Sequence, residues 1–234
     1  MKYSAIIPTY NEEQTIERAI HETWRVLSYL SPESEILIVD DGSNDRTRFV
    51  VEHLIPTFPK KYLQLIPLAH NQGKGVAVKI GILAAKGEKI GFLDADLATH
   101  PKELIKGFSL LEQADIAIAS RRIPQATIVK PQRWYRSFAG QVFNFILRKY
   151  LDLPYFDTQC GCKVFRREVI KTLFQTLKTS GWSFDAEILY KGKKLGYSIV
   201  EFPVTWTNGP TSRVQWKTAP RILKELYKIK QNDS

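Results

Sequence analysis

Two acidic pairs in the first half of the chain have the residue types and spacing of a cation site. Asp94 and Asp96 flank a single alanine, and Asp40 and Asp41 are adjacent. Neighbouring carboxylates repel each other unless a cation or a hydrogen-bond donor compensates. An Asp-x-Asp pair therefore indicates a hard divalent ion, since Mg²⁺ commonly binds one or two carboxylates together with substrate phosphates. Aspartate is also a common turn residue, so a plain turn is the alternative for Asp94 and Asp96.

Short apolar runs precede these acids and alternate with helical patterns. Such runs are typical of buried strands, and their alternation with helices indicates βαβ units. The predicted fold class is α/β, with a mainly parallel central sheet flanked by helices. Ligands bind beyond the carboxyl ends of the strands in such sheets, so both acidic pairs are expected at one edge. The predicted strands are residues 4–8, 35–39, 62–68, 89–93 and 115–119.

The second half of the chain is less regular. Residues 134–151 are rich in aromatic and aliphatic side chains between basic ends, which predicts a long amphipathic helix. The other predicted elements are a strand at 163–165, helices at 167–177 and 185–195, a β run at 199–206 and a basic amphipathic helix at 219–230.

The charge is distributed unevenly. Residues 1–120 contain 13 Lys or Arg and 16 Asp or Glu, whereas residues 121–234 contain 21 and 8, giving nets of −3 and +13. The basic half predicts an anionic partner: nucleic acid, an anionic membrane surface or a phosphorylated substrate. A nucleic-acid-binding module would leave the two acidic pairs unexplained, so no nucleic acid is expected. A nucleotidyltransferase, which also uses paired aspartates and Mg²⁺, is a further alternative.

Composition and motifs exclude several classes. No run of about 18 apolar residues is present, which argues against a membrane-spanning helix. The first residues lack the pattern of a signal or transit peptide, so neither is expected there. The two cysteines are too few for a disulfide framework and fit a reducing cytoplasm. The loop at residues 71–75 lacks the P-loop and dinucleotide-binding patterns. Its Lys74 either reaches a nucleotide or lies on a surface turn.

Several motifs in one order resemble a known family. Pro8–Glu12, Val39–Ser43, Asn71–Gly75 and Asp94–Asp96 resemble the inverting family 2 glycosyltransferases of the A-type, Rossmann-like fold. Residues 157–163, with the later Trp182–Glu187, are similar to the polyprenyl-phosphate sugar transferases, namely the mannosyltransferases and above all the dolichyl-phosphate β-glucosyltransferases. The resemblance implies one glycosyltransferase domain at 1–216, with a nucleotide-sugar half (1–120) and an acceptor half (121–216), followed by a basic amphipathic tail (217–234).

The resemblance also implies roles for individual residues. Those expected to bind the donor nucleotide are Pro8, Tyr10, Glu12, Asp40, Asp41, Lys74, Asp94 and Arg213. A Mg²⁺ or Mn²⁺ ion is expected on Asp94 and Asp96. The residues expected to bind the acceptor phosphate are Arg121, Arg133, Arg136 and Ser137, and the expected catalytic residues are Asp185, Glu187 and Gln159. For Asp185 and Glu187, stabilisation of a helix N-terminus is the alternative.

The implied activity is the metal-dependent, inverting transfer of a hexosyl group to polyprenyl phosphate. Glucose from UDP-glucose is the favoured donor; GDP-mannose or a non-prenyl acceptor is the alternative. A lipid phosphate is already ionised at neutral pH, so no strong general base is required. Peripheral association with the cytoplasmic face of a membrane is expected, with the helix at 134–151 partly in the interface and partly packed on the sheet.

Overall fold

The computed structural model describes residues 1–130, 134–181, 183–208 and 219–231. A seven-stranded sheet lies at its centre, in the order β3-β2-β1-β4-β7-β5-β8. Pairing is parallel except at β7, which runs antiparallel to both β4 and β5. The strands are β1 (Tyr3–Thr9), β2 (Ser34–Asp40), β3 (Leu63–Pro67), β4 (Lys89–Leu93), β5 (Ile116–Ser120), β7 (Cys162–Arg166) and β8 (Ile199–Pro203).

Helices cover both faces of the sheet. Successive strand residues point to opposite faces, so Ile6 packs in one apolar cluster and Ile7 in the other. The first cluster includes residues of α3, α5, α6, α7 and α8, and the second includes residues of α1, α2 and α4. The helices are α1 (Ile16–Leu30), α2 (Thr47–Leu54), α3 (Lys74–Ala84), α4 (Glu103–Leu110), α5 (Trp134–Tyr150), α6 (Arg167–Gln175), α7 (Phe184–Lys194) and α8 (Ala219–Gln231). The predicted fold class is confirmed.

The position of β7 is the main departure from a simple series of parallel strands. It inserts between β4 and β5, and Cys162 pairs with Leu93 at the end of β4. The Asp94 amide donates to the Gly161 carbonyl at 3.1 Å. A Cβ atom at Gly161 would lie 2.0 Å from Asp94 Oδ2, so only glycine allows this approach. β7 thereby brings residues 157–161 beside the pair Asp94 and Asp96.

A second, two-stranded sheet pairs β6 (Thr127–Lys130) with β9 (Thr205–Thr207) in parallel. The predicted β run at 199–206 is in fact divided at Val204 between this sheet and the central one. All four residues of β6 are exposed, so the sequence carries no alternation of buried and exposed residues that would predict a strand there.

The helix at the end of the chain packs back onto the sheet. Leu226 and Ile229 of α8 are buried in the same cluster as Ile6, and Lys230 Nζ lies 5.0 Å from the centre of the Tyr150 ring. Within the described ranges, none of the helices combines the length and hydrophobicity needed to cross a bilayer. The division into a nucleotide-sugar half and an acceptor half stays a prediction.

Candidate active site

The carboxyl ends of β1, β2 and β4 lie side by side at one edge of the central sheet. In the parallel pairing of β1 with β2, Thr9 lies opposite Asp40. β4 flanks β1 on its other side, with Phe92 opposite Ile6. The structure therefore brings both acidic pairs to the same edge of the sheet, where an α/β fold places its ligands.

Two loops at this edge are joined by hydrogen bonds. The Asn11 amide donates to Ser43 Oγ at 2.9 Å, and the Glu12 amide donates to Thr47 Oγ1 at 2.7 Å. The Glu12 carboxylate accepts from Thr15 Oγ1 at 2.8 Å. Asn11 has φ +53°, a left-handed conformation that asparagine tolerates better than most residues. The loop that carries the predicted nucleotide residues thus has a fixed shape.

Asp40 lies beneath these loops and shapes one of them. It is buried, and its Oδ1 accepts from the Ser43 amide at 3.2 Å and from Ser43 Oγ at 2.5 Å. Pro8 and Tyr10 are half-buried beside it. The expected contact of these three residues with a base or ribose stays a prediction.

Asp41 holds the loop at residues 71–75. Its Oδ1 accepts from the Gln72 amide at 2.7 Å, and its Oδ2 accepts from the Gly73 amide at 2.9 Å. Burial raises the pKa of Asp41, although the two amide hydrogen bonds oppose that shift. Gly73 has φ +102°, which a side chain would disfavour. Asp41 therefore fixes the segment that leads into α3.

Lys74, the first residue of α3, points at the Asp-x-Asp pair. Its Nζ lies 2.5 Å from Asp94 Oδ1. Burial acts to lower the pKa of Lys74, but the nearby carboxylates of Asp94 and Asp185 outweigh it and raise that pKa. The Asp96 carboxylate accepts from the Ala98 amide at 2.9 Å, which orients it at the end of β4. Lys74 thus belongs to the site.

The donor set fits a divalent cation shared with a substrate. Asp94 and Asp96 supply two hard carboxylates, and Asp94 already faces the ammonium group of Lys74. In the described part of the chain, no group of three His, Cys, Asp or Glu side chains could enclose a metal by itself. Two protein carboxylates with substrate phosphates are the usual Mg²⁺ arrangement, so the residues present fit that ion or Mn²⁺.

Asp185 forms a buried ion pair with a lysine that the sequence did not reveal as functional. Its Oδ1 lies 2.5 Å from Lys163 Nζ, which also donates to the Cys160 carbonyl at 2.9 Å. Lys163 is 0% exposed and Asp185 is 2% exposed. Burial raises the pKa of Asp185, although Lys163 and Lys74 oppose that shift. The pair lies beneath Lys74 and anchors the start of α7.

Arg121 binds a buried carboxylate. Its Nε and Nη2 donate to the two oxygens of Asp157 at 2.7 and 3.0 Å, and its amide donates to Oδ2 at 3.0 Å. Burial alone would raise the pKa of Asp157, but Arg121 lowers it to about 2. The Arg121 guanidinium also lies 5.5 Å from the centre of the Trp206 ring. Because Arg121 is so engaged, its expected contact with an acceptor phosphate stays a prediction.

Gln159 lies on the loop that approaches Asp94. Its amide donates to Asp157 Oδ1 at 3.2 Å. Its side-chain Nε2 is buried and has no hydrogen-bond partner among the described residues. A buried donor without a partner is costly in a folded protein, so this amide marks a position suited to a ligand oxygen.

Glu187, which is also among the expected catalytic residues, makes its contacts within the protein. It is buried on α7, and its oxygens accept from the amides of Lys178 and Thr179, from Thr179 Oγ1 and from Lys191 Nζ. Burial would raise the pKa of Glu187, but the hydrogen bonds from Lys191 and Thr179 outweigh it and lower that pKa. Its contacts thus run into the protein rather than towards the acidic pair.

Four predicted residues fall in parts of the chain that carry no side-chain description. Arg133 and Arg213 lie outside the described residues. Arg136 and Ser137 belong to α5, and their side chains lie outside the described part. Their roles at the acceptor phosphate and the donor stay predictions.

The structure brings Lys74, Asp94 and Asp185 together at the end of β4, with Lys163 beneath them. The one sequence signal for Lys163 is a charged residue within the otherwise apolar stretch Cys162–Phe165, and the sequence analysis assigned it no role. Glu187 and Asp41 hold backbone segments around this group, and their expected roles in catalysis and donor binding stay predictions.

Comparison with known proteins identifies the family. Residues 4–174 match the family model described as glycosyl transferase family 2. The chain belongs to this family. It is a glycosyltransferase, as the motifs predicted, and its resemblance to the dolichyl-phosphate β-glucosyltransferases is confirmed by relatives with that name.

Two such relatives illustrate the extent of the similarity. A dolichyl-phosphate β-glucosyltransferase of Dictyostelium discoideum is 31% identical over 97% of this chain and 73% of the relative. The Mus musculus protein of the same name is 34% identical over 87% of this chain and 67% of the relative.

Solved structures share the fold at lower identity. Glucosyl-3-phosphoglycerate synthase from Mycobacterium tuberculosis, crystallised with Mn²⁺, UDP and phosphoglyceric acid, superposes with a TM-score of 0.70 at 18% identity. That match covers 97% of this chain and 76% of the other. Staphylococcus aureus TarS with UDP-GlcNAc superposes with a TM-score of 0.64 at 19% identity, over 98% and 66% of the two chains. These likenesses establish the A-type fold of this family 2 glycosyltransferase.

Proposed function

We propose that this glycosyltransferase moves a glucosyl group from UDP-glucose to a polyprenyl phosphate, with inversion at C1. The observation that carries the proposal is the similarity to dolichyl-phosphate β-glucosyltransferases over 97% of the chain. The geometry supports it, because Asp94 and Asp96 face the edge where a nucleotide sugar would lie. Transfer from GDP-mannose, or to a non-prenyl acceptor, is the alternative within the same family.

The reaction joins an acceptor oxygen to C1 and breaks the bond between C1 and the diphosphate. The lipid phosphate oxygen attacks C1 from the face opposite UDP, the C1–O bond to UDP breaks, and UDP leaves with the electron pair. The attacking oxygen is ionised at neutral pH, so the chain needs to orient it more than to deprotonate it. Asp185, buried next to Lys74 and Asp94, is assigned to orienting the sugar.

The chain's own residues bind and orient the donor. Pro8, Tyr10 and Asp40 are assigned to the base and ribose, with Glu12 on the loop beside them. Lys74 is assigned to the diphosphate, where its positive charge would oppose the charge that develops on UDP. A Mg²⁺ or Mn²⁺ ion held by Asp94 and Asp96 would supply further neutralisation of that leaving group.

An exposed apolar surface supports a membrane-bound acceptor. On α5, Phe138 is 64% exposed and Phe145 is 58% exposed, and the exposed Val142 and Ile146 share their helix face. Arg148 and Lys149 follow in its last turn. An apolar helix face beside basic residues is suited to the surface of an anionic bilayer. We assign peripheral binding at the cytoplasmic face to this helix.

A donor and acceptor screen tests the proposal. Purified protein is incubated with Mg²⁺, a short polyprenyl phosphate, and UDP-glucose, GDP-mannose or UDP-N-acetylglucosamine, and the released nucleotide is measured. Acceptor-dependent UDP release from UDP-glucose is expected, with loss on chelation by EDTA and recovery with Mg²⁺ or Mn²⁺. A signal with GDP-mannose alone would establish the other sugar.

Two further outcomes would overturn the reaction class. Release of pyrophosphate would indicate a nucleotidyltransferase. Silence with all three sugar nucleotides, from folded protein with vesicles present, would refute transfer to polyprenyl phosphate.

A further inference from the structure

We propose that Glu187 is a positioning residue that holds Lys74 against Asp94 through the segment 178–180, here called the strap. The inference rests on the proposed function only in taking Lys74 as a ligand of the donor diphosphate. Glu187 itself touches neither substrate nor metal in this assignment.

The Glu187 carboxylate organises the strap from within the protein. Its Oε2 accepts from the Thr179 amide at 2.8 Å and from Thr179 Oγ1 at 2.6 Å, and its Oε1 accepts from the Lys178 amide at 3.0 Å. Glu187 is only 2% exposed. Lys191, on the next turn of α7, places its Nζ 2.6 Å from Glu187 Oε1. Charge-assisted hydrogen bonds to an ionised carboxylate are among the stronger ones in proteins, so the strap has a defined shape.

The strap in turn grips the start of α3. The Gly75 amide donates to the Ser180 carbonyl at 2.9 Å. A Cβ at Gly73 would lie 2.4 Å from the same carbonyl oxygen, and a Cβ at Gly75 would lie 2.9 Å from the Thr179 carbonyl oxygen. Glycine on both sides of Lys74 is therefore what allows the strap to approach so closely.

A second anchor joins α3 to the residues that precede the strap. Lys79 Nζ on α3 donates to the carbonyls of Gln175 and Leu177 at 3.1 and 3.0 Å. This contact holds the body of α3 to the end of α6. The contact between the strap and α3, by contrast, lies at the first turn of the helix, where Lys74 is located.

Asp41 completes the grip from the opposite side. Its carboxylate accepts from the Gln72 and Gly73 amides, immediately before Lys74. The loop at 71–75 is thus held by one buried carboxylate at the end of β2 and, through the strap, by a second on α7. With both flanks fixed, the Lys74 ammonium lies 2.5 Å from Asp94 Oδ1. Glu187, expected among the catalytic residues, and Asp41, expected at the donor nucleotide, both act on the backbone around a lysine.

The test compares Glu187→Gln, Lys74→Ala and the double variant, with Glu168→Gln as the control. Glu168 is an exposed acid on α6, so its loss changes the charge equally without touching the strap. UDP binding is measured by calorimetry, and the donor KM and kcat are measured separately. Glu187→Gln is expected to weaken UDP binding about tenfold, which corresponds to one lost charged contact.

The double variant decides between acting through Lys74 and acting independently. If Glu187 acts through Lys74, Glu187→Gln adds less than about twofold once Lys74 is alanine. A further tenfold loss in that background would overturn the inference. A fall in kcat with unchanged donor KM and UDP affinity would also overturn it, because that pattern indicates direct contact with the transferred sugar.

Two measurements keep the inference falsifiable if these variants fail. If Glu187→Gln does not fold, Gly75→Ala presses on the strap from the α3 side and is expected to give the same dependence on Lys74. If the wild-type protein binds no UDP, the proposed function fails, and amide hydrogen exchange still tests the strap. Faster exchange at Thr179 and Gly75 together is expected in Glu187→Gln; a change at Thr179 alone would overturn the coupling.

Discussion

Replacement of Lys163 by methionine tests the buried ion pair beneath the site. The change keeps the length of the side chain and removes the ammonium that lies 2.5 Å from Asp185 Oδ1. Asp185, only 2% exposed, would then be a buried carboxylate without its main counter-charge. Breaking a buried pair in this way costs about 3–5 kcal/mol. That is a large part of the about 5–15 kcal/mol by which a domain is stable.

The size of this loss depends on pH in a defined direction. Burial already raises the pKa of Asp185 above the ordinary value of 3.8, and removing Lys163 raises it further. A carboxyl whose pKa is higher folded than unfolded binds its proton more tightly when folded, so its unpaired burial costs most above the folded-state pKa. The destabilisation by Lys163→Met is therefore expected to be larger at pH 8 than at pH 5.

Urea unfolding followed by circular dichroism, at both pH values, measures these free energies. Lys171→Met is the control, because Lys171 is an exposed lysine on α6. The double variant Lys163→Met, Asp185→Asn removes both charges and is expected to recover most of the lost stability. A loss below about 1 kcal/mol for Lys163→Met, or no recovery in the double variant, would refute the reasoning.

Three further changes are expected to act at separate places. Gly161→Ala would force the Asp94 carboxylate from its position, so Mn²⁺ binding measured by electron paramagnetic resonance should weaken at least tenfold while the fold is retained; unchanged binding would contradict the close approach. Because Arg121 holds the pKa of Asp157 at about 2, its pairing stabilises the fold above pH 4 and is lost as the pH falls towards 2. Asp157→Asn should therefore destabilise the fold by about 3 kcal/mol at pH 7 and by less at pH 2 in urea unfolding. Phe145→Ser with Ile146→Ser should reduce sedimentation with anionic vesicles severalfold without lowering the melting temperature; equal sedimentation would refute membrane binding by the apolar face of α5.

The strands in the first half of the chain could be predicted because each is a short apolar run that ends in polar residues. The runs at 35–39 and 89–93 lie within β2 (Ser34–Asp40) and match β4 (Lys89–Leu93). β6 could not be predicted, because every one of its residues is exposed. The antiparallel placement of β7 was also hidden, since the direction of a five-residue strand depends on partners far along the chain.

The sequence was enough to predict which types of residue belong to the candidate site, but not which contacts they make. Asp41 and Glu187 were expected at the site, but the sequence does not reveal that their carboxylates accept hydrogen bonds from backbone amides. Lys163 was not predicted as part of the site, because lysine is one of the residues least often buried and a lysine in a strand is therefore taken for a surface residue. Lys74 was left open between a nucleotide ligand and a surface turn, and its 2.5 Å contact with Asp94 places it in the site.

The insertion of β7 between β4 and β5 bears on how the chain is made and how it can be rearranged. A nascent chain that has emerged only to residue 120 contains β4 and β5 but not the strand between them. Two strand edges must then wait with unpaired amides and carbonyls until residues 162–166 leave the ribosome, and unpaired edges invite wrong partners. For the same reason the segment that contains β7 cannot simply be exchanged: a graft from another transferase must bring a strand that pairs with both β4 and β5, and a glycine next to Asp94.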